Sequence, residues 1–253
     1  MTEFHGKTAL VTGASRGIGA ATAIALAKEG VARVLIHYGS YKAGAEETLA
    51  GVRAAGSDGA ILHGDLTTPE GAGELIDALA SDGAKVDYLI NNAGSLLKRA
   101  GLLEHTEASF DAVMNLNVKS LWFITKAVVP GMIAGGGGAI VNVSSIAARN
   151  GGGPGATVYA AAKAAVSAIT KGWAKELAPK GIRVNAISPG TVDNHFHEVF
   201  STREMLDNVV KATPIGRLAT NEEMADCAVY LCSSKASYIV GQTIELNGGM
   251  FMV

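Results

Sequence analysis

Several things are scarce in this chain, and each scarcity excludes something. It holds two cysteines, Cys227 and Cys232, five residues apart within one helical pattern. That spacing does not suit a local disulfide, and two thiols cannot complete a structural zinc site, so a reducing, cytoplasmic setting is expected. His195 and His197 lie close together, but no Asp, Glu or Cys joins them at a familiar ligand spacing, and no metal is expected. No apolar run reaches about 18 residues without a breaker, which argues against a membrane span. The start, Thr2-Glu3-Phe4-His5-Gly6-Lys7, leads into a short strand and does not read as a secretory leader. Charged residues make up only 17% of the chain and sum to a formal −2, with no basic or acidic block. Nucleic acid and anionic membranes therefore fall away as main partners. So few charges are expected to leave part of the surface buried between subunits.

What is abundant is apolar: 48% of the 253 residues are hydrophobic, and 32 more are glycine. That length suits one substantial core, and a single domain over residues 1–253 is expected. Short apolar runs at Thr8–Thr12, Arg33–Tyr38, Ala60–Gly64, Val86–Asn91, Gly138–Val143 and Ile182–Ile187 read as buried strands. Helical patterns fall between them, at Ile18–Glu29, Ala43–Ala55, Pro69–Leu79, Ala108–Ile133 and Thr157–Leu177. A last helix at Asn221–Cys232 precedes a seventh strand at Gln242–Leu246. Strands joined by helical crossovers form a parallel sheet covered on both faces, an α/β three-layer domain. The stretch from Gly190 to Thr220 has no clean pattern. It follows the sixth strand, where an open parallel sheet forms its ligand crevice, and is expected to cover a substrate.

The first strand runs into Thr12-Gly13-Ala14-Ser15-Arg16-Gly17-Ile18-Gly19, which opens a helix. Glycines let the backbone turn tightly and bring free N–H groups at a helix start close to a pyrophosphate. The spacing Gly-x-x-x-Gly-x-Gly differs from the standard dinucleotide fingerprint, and its position after the first strand is what gives it weight. A carboxylate at the end of the second strand would bind ribose hydroxyls and repel a 2′-phosphate. Here that place reads His37-Tyr38-Gly39-Ser40, without an acid, while Arg16 offers a cation; both favour NADP over NAD. Ser40 or Tyr41 can add a hydrogen bond and Lys42 a charge. Asp65, ending the third strand, either accepts from an adenine amino group or caps the next helix. Asn91-Asn92-Ala93-Gly94 ends the fourth strand, where the glycine permits close passage of a cofactor and the amides tie loops together.

The chemical end centres on Tyr159-Ala160-Ala161-Ala162-Lys163, which sets a phenol and an ammonium one turn apart on a helix face. A free tyrosine titrates near 10, and bringing it to neutrality takes about 4 kcal/mol of preference for the phenolate. One nearby ammonium can supply a few kcal/mol of that at an effective dielectric of about 20. Ser145, closing Val141-Asn142-Val143-Ser144-Ser145, is placed to stabilise charge on a carbonyl oxygen that Tyr159 protonates. Asn117 lies in a long helix, where a buried amide needs partners; it is expected to hold a water linking Lys163 to solvent. Ser145 lacks the Gly-x-Ser-x-Gly elbow of an acyl nucleophile, so hydrolase chemistry fits poorly.

Taken in order, Thr12–Gly19, Asp65, Asn91–Gly94, Asn117, Ser145, Tyr159-x-x-x-Lys163 and Pro189-Gly190 resemble the classical short-chain dehydrogenase/reductase family over residues 8 to 249. The pattern is most similar to the 3-oxoacyl-(acyl-carrier-protein) reductase branch. The resemblance implies a Rossmann-type domain whose seven-stranded parallel sheet is ordered 3-2-1-4-5-6-7. It implies a catalytic tetrad of Asn117, Ser145, Tyr159 and Lys163 and pro-S hydride transfer. It also implies an NADP(H) contact set of Gly13, Ser15, Arg16, Gly17, Ile18, Gly19, Tyr38, Ser40, Asp65, Leu66, Asn91, Ala93, Gly94, Tyr159, Lys163, Pro189, Gly190, Val192 and Asn194. A homotetramer built on the two long helices, acting on a small carbonyl or alcohol substrate, completes what it implies. Four departures stand out. The Ser145-to-Tyr159 interval is one residue longer than is usual. Asn194 and Gly39 stand where Thr and Arg are common, with Thr191 a competitor for the role of Asn194. Asn247 replaces an Asp before Gly248-Gly249. The expected activity is NADPH-dependent ketone reduction, with NAD-dependent alcohol oxidation or a non-catalytic dinucleotide sensor as alternatives.

Overall fold

The computed structural model describes residues 3–252; Met1, Val253 and Thr2, where the reading of the chain start begins, lie outside the described residues. Strands β1 (Thr8–Val11), β2 (Arg33–Tyr38), β3 (Asp58–His63), β4 (Tyr88–Asn91), β5 (Gly138–Val143), β6 (Ile182–Pro189) and β7 (Thr243–Leu246) form one sheet. Its order is β3-β2-β1-β4-β5-β6-β7, and every pairing is parallel. That is the implied order. The chain turns from β1–β3 on one side to β4–β7 on the other, which puts the switch point, and the crevice beyond the strand ends, between β1 and β4.

Side-chain alternation along the strands divides the interior into two cores. Ala9, Val11, Val34, Ile36, Ile90 and Val141 face one way, against α1 (Gly17–Lys28), α2 (Lys42–Ala54) and, late in the chain, the helix Asn221–Cys232. Leu10, Leu35, Leu89, Ile140 and Val184 face the other, against α3 (Gly71–Asp82) and the two long helical regions. Each fully buried Leu or Ile contributes roughly 1.5–3 kcal/mol, so both faces of the sheet must be covered. Most strand and helix ends fall within two residues of the sequence reading, and the helices Thr157–Leu177 and Asn221–Cys232 match it at both ends.

Two regions depart from that reading. The single helix expected over Ala108–Ile133 is instead α4 (Glu107–Met114), a widened π turn (Asn115–Lys119) and α5 (Ser120–Ala134). The cause is local: the Asn117 amide donates to the Val113 carbonyl at 2.8 Å, taking an acceptor that the helical ladder would use. The second departure is the segment after β6. It begins as an irregular connection but then forms α8 (His195–Phe200) and α9 (Arg203–Ala212), each capped by a side chain, Asn194 and Thr202. A short α6 (Ala147–Asn150) also precedes α7 (Thr157–Leu177), and α10 (Asn221–Cys232) packs on α1. No helix of the described residues is long and apolar enough to cross a membrane.

Candidate active site

A cavity of about 860 Å³ opens at the carboxyl ends of the strands, and most of the residues singled out in the sequence line it. At one end lies the glycine turn. Gly13 and Gly17 adopt φ of 62° and 61°, a conformation that side chains with a Cβ rarely take. A Cβ at Gly13 would stand 2.8 Å from the Ala93 backbone, and one at Gly19 would stand 2.5 Å from Asn92 Nδ2. Glycine at these places therefore lets the turn pack closely on Asn92 and Ala93, and the first turn of α1 has no side-chain cap to consume its N–H groups. These features fit a pyrophosphate.

The turn is pinned from both sides. Thr12 Oγ1 accepts from the N–H groups of Asn92 and Ala93, and the Asn92 amide donates to the carbonyls of Thr12 and Gly13. His37 completes the clamp: its Nδ1 accepts from Gly13 N–H at 2.9 Å, and its Nε2 meets the Gly64 carbonyl at 2.9 Å. Burial pushes this imidazole down to about 4, so it is neutral at pH 7 and can both accept and donate. The sequence reading used the end of β2 for its missing carboxylate and for Tyr38, and passed over His37.

Beside the turn, the Arg16 guanidinium stacks 4.0 Å over the Tyr41 ring. Ser40 and Gly39 line the cavity there, while Lys42 faces Glu46 at 3.5 Å. Asp65 and Leu66 line the same end. Asp65 Oδ1 accepts from Thr67, and the start of α3 is held instead by Thr68 Oγ1 on Gly71 N–H, so Asp65 is not that helix's cap. Ser15, Ile18, Ala93, Gly94, Pro189, Gly190, Thr191, Val192 and Asn194 also line the cavity. Three residues of the expected contact set stand outside it. Gly19 is buried behind the turn, and Tyr38 packs on His63 at 5.2 Å. The Asn91 amide is spent on Thr125 Oγ1 and Asn142 Oδ1, and Asn142 in turn on Thr170, a buried polar chain joining β4 and β5 to α5 and α7. Both ends of the Asn194 amide are engaged, with Asn221 and Phe196 N–H. Asn247 donates to and accepts from Phe251 across one turn, which an Asp could not do.

At the other end of the cavity Tyr159, Ser145 and Lys163 converge. Ser145, whose hydroxyl accepts from Ala147 N–H at 3.1 Å, lies beside the Tyr159 phenol, and Lys163 Nζ lies 5.6 Å from the ring centroid, donating to the Val143 carbonyl at 2.8 Å. Burial dominates the titration of both groups. It pushes the phenol up to about 12, against the pull of the Ser145 hydroxyl, and the ammonium down to about 8. At the phenol, desolvation of the charged form thus opposes any help from the Lys163 ammonium. The Tyr159 side chain is half-buried and opens to the cavity. Asn117 is 1% exposed; its amide nitrogen also donates to Ser95 O at 2.8 Å, while Oδ1 has no protein partner. A Cβ at Gly94 would lie 2.6 Å from Lys163 Nζ and 2.7 Å from that Oδ1, so only glycine there leaves room beside both.

The cavity wall beyond Tyr159 is built by the loop after β4, the turn before α7, and α8 with α9. Phe196 packs on Tyr159 at 5.8 Å and on Phe200 at 5.0 Å, and the apolar side of α9 presents Met205, Leu206 and Val209. Leu97, in the loop after β4, is the one non-glycine residue at positive φ among the described residues, at 58°. Among the described residues no three His, Cys, Asp or Glu gather as metal ligands, and both cysteines are free.

Comparison with known proteins agrees with this geometry. A family model described as enoyl-(acyl carrier protein) reductase matches residues 13–251. The 3-oxoacyl-(acyl-carrier-protein) reductase of Staphylococcus epidermidis is 37% identical over 246 residues, covering 97% of this chain and 99% of that protein. Among solved structures, a mutant of DEH reductase A1-R′ superposes with a TM-score of 0.90 at 38% identity over 99% of both chains. The NADH-dependent reductase A1-R′ complexed with NAD gives 0.86 at 36% identity, again over 99% of both.

Proposed function

The chain belongs to the short-chain dehydrogenase/reductase family, and from that premise we propose that it reduces a ketone to a secondary alcohol with NADPH, Tyr159 delivering the proton. The observation that carries the reading is the convergence of Tyr159, Ser145 and Lys163 at the end of a cavity whose other end is a glycine cradle. A bound nicotinamide dinucleotide supplies the hydride to the carbonyl carbon. The cradle of Gly13 to Gly19 would hold its pyrophosphate, and Lys163 would hydrogen-bond the ribose next to the nicotinamide. Ser145 donates to the substrate oxygen and stabilises the charge that gathers there. The Tyr159 O–H proton passes to the same oxygen, closing the alcohol. Lys163 Nζ and Asn117 Oδ1, both beside Gly94, would hold the water through which the phenolate regains its proton. A panel of ketones with dinucleotide oxidation as readout tests the reading, and no turnover across the panel would sink it.

For the dinucleotide, the Arg16–Tyr41 stack and the lack of an acid at the end of β2 support NADPH. The guanidinium is exposed, and a 2′-phosphate there would meet a planar, charge-assisted donor. We expect Arg16→Ala to lower kcat/KM for NADPH by roughly 10- to 100-fold while leaving NADH within about threefold. Equal losses with both dinucleotides would remove the phosphate role.

The pH profile follows from Lys163. Its ammonium is present below about 8 and lost above it, whereas burial raises the Tyr159 phenol and keeps it protonated across that range. In the reduction direction kcat/KM for NADPH, which reports the free enzyme, is expected to be level below pH 8 and to fall by about tenfold per pH unit above it. A profile still level at pH 9.5 would show that the charge on Lys163 is not needed. As for assembly, α5 leaves Trp122, Phe123 and Ile133 exposed, and these are the apolar side chains through which we propose that subunits pair.

A further inference from the structure

Among the described residues that line the cavity, Arg99 is the one cation besides Arg16 and Lys163, and the proton-delivery mechanism gives it no work. It sits in the loop after β4, where Nε donates to the Phe200 carbonyl at 2.6 Å and Nη1 to the Pro154 carbonyl at 2.8 Å. Those two bonds fix the guanidinium plane from α8 and from the turn before α7. A guanidinium carries five N–H donors, so three remain. Among the described residues no carboxylate pairs with it, and the single acid lining the cavity, Asp65, lies at the far, adenine-side end, engaged with Thr67. The nearest titratable neighbour, His197, contributes no charge of its own at neutral pH. Burial foremost, and then Arg99 itself, pushes it down to about 4, against the pull of the exposed Asp193. Its Nδ1 meets Ser201 Oγ at 2.9 Å.

The wall between Arg99 and Tyr159 is aromatic: Phe196 stacks against Tyr159, and Phe200, whose own carbonyl holds Arg99, stacks against Phe196. The cavity thus offers a carbonyl-polarising pair at one point and, beyond Phe196 and Phe200, a fixed, part-buried cation without a carboxylate partner among the described residues. An anion entering the cavity would find there a cation already fixed in place by two carbonyls. A neutral ketone offers it a hydrogen bond but no opposite charge.

We propose that Arg99 binds a carboxylate carried by the substrate, so that the reductase takes small keto acids in preference to neutral ketones. This substrate class rests on the carbonyl-reductase reading above. The geometry suits a bidentate contact, since the outward-facing edge of a guanidinium matches the two oxygens of a carboxylate.

The test uses matched pairs: acetoacetate, laevulinate and a keto-aldonate, each beside its methyl ester, with the whole protein and NADPH. The acid-to-ester ratio of kcat/KM is expected to exceed about tenfold for at least one pair, and to collapse toward one in Arg99→Gln. The loss should fall on KM, and Arg99→Lys, which keeps the charge, should restore part of the ratio. Calorimetric titration of laevulinate and its ester into the NADP-loaded protein reads the same preference without turnover. If wild type binds and reduces acid and ester alike, the proposal is overturned. If Arg99→Gln lowers both members of a pair equally, Arg99 is a fastener of the three loops and the proposal is again overturned. Should the acid bind preferentially and Arg99→Gln abolish that binding, while no compound turns over, the carboxylate site stands and the reductase reading falls.

Discussion

Tyr159→Phe is expected to lower kcat for ketone reduction by about 10³-fold, within the roughly 10²- to 10⁴-fold that a positioned general acid contributes. The variant removes one oxygen from a ring held by Phe196 and by the packing of α7, so the fold and dinucleotide binding should be retained. The loss should therefore appear in kcat, with the dissociation constant for NADPH little changed. Ser145 would keep part of the polarisation of the carbonyl, which is why the remaining rate should lie above that of solution. A variant that turns over at the wild-type rate would show that the proton comes from elsewhere, and the assignment built on Tyr159 would have to be abandoned.

Lys163→Met should separate stability from chemistry. The ammonium is 3% exposed, and burial moves it from its ordinary 10.5 to about 8. The fold thus disfavours the charged form. Below pH 8 both folded and unfolded chains carry the proton and the penalty is complete. Between about 8 and 10.5 the unfolded chain binds more protons than the folded one, so wild-type stability rises with pH across that window. The penalty amounts to about 3 kcal/mol at low pH, to be set against roughly 1–3 kcal/mol for leaving the Val143 carbonyl without its donor. Methionine, similar in length and uncharged, should accordingly hold or slightly raise stability at pH 7 and erase the rise above pH 8, while turnover falls by at least about 10²-fold. Urea unfolding of both proteins at pH 7 and pH 9.5 reads the first effect directly. If wild type shows no rise, or the methionine variant is much weaker at pH 7, the ammonium is stabilised by more than the Val143 carbonyl.

The parts of the molecule that were readable beforehand share one property: their causes are local. The strands show themselves as apolar runs, and the Tyr159–Lys163 pair follows from helical spacing alone, so both can be placed to within a residue or two. The glycine turn is legible because its position after β1 is a matter of sequence order. The residues that escaped are those whose meaning depends on distant chain. His37 acts through Gly13 and Gly64, and Arg99 through carbonyls 55 and 101 residues further on. Helix α9 was missed because it contributes no buried residue to either core; its apolar side faces the cavity, where a search for core-facing periodicity does not look. The surroundings of Tyr159 escaped for a related reason. Spacing gives the distance to Lys163, but only the packed structure says how much solvent is excluded from the ring.

The π turn at Asn115–Lys119 sets a trade that any redesign of this protein would meet. A π turn is an α-helix carrying a surplus residue, and here the surplus swings the Asn117 amide inward toward Ser95 and Val113. Trimming one position from that turn would let α4 and α5 heal into a straight, better-bonded rod, and would carry every later residue of α5 about 100° around its axis. Selection for thermal robustness alone would favour the healed rod, so the irregularity endures only under pressure to keep the amide where it is.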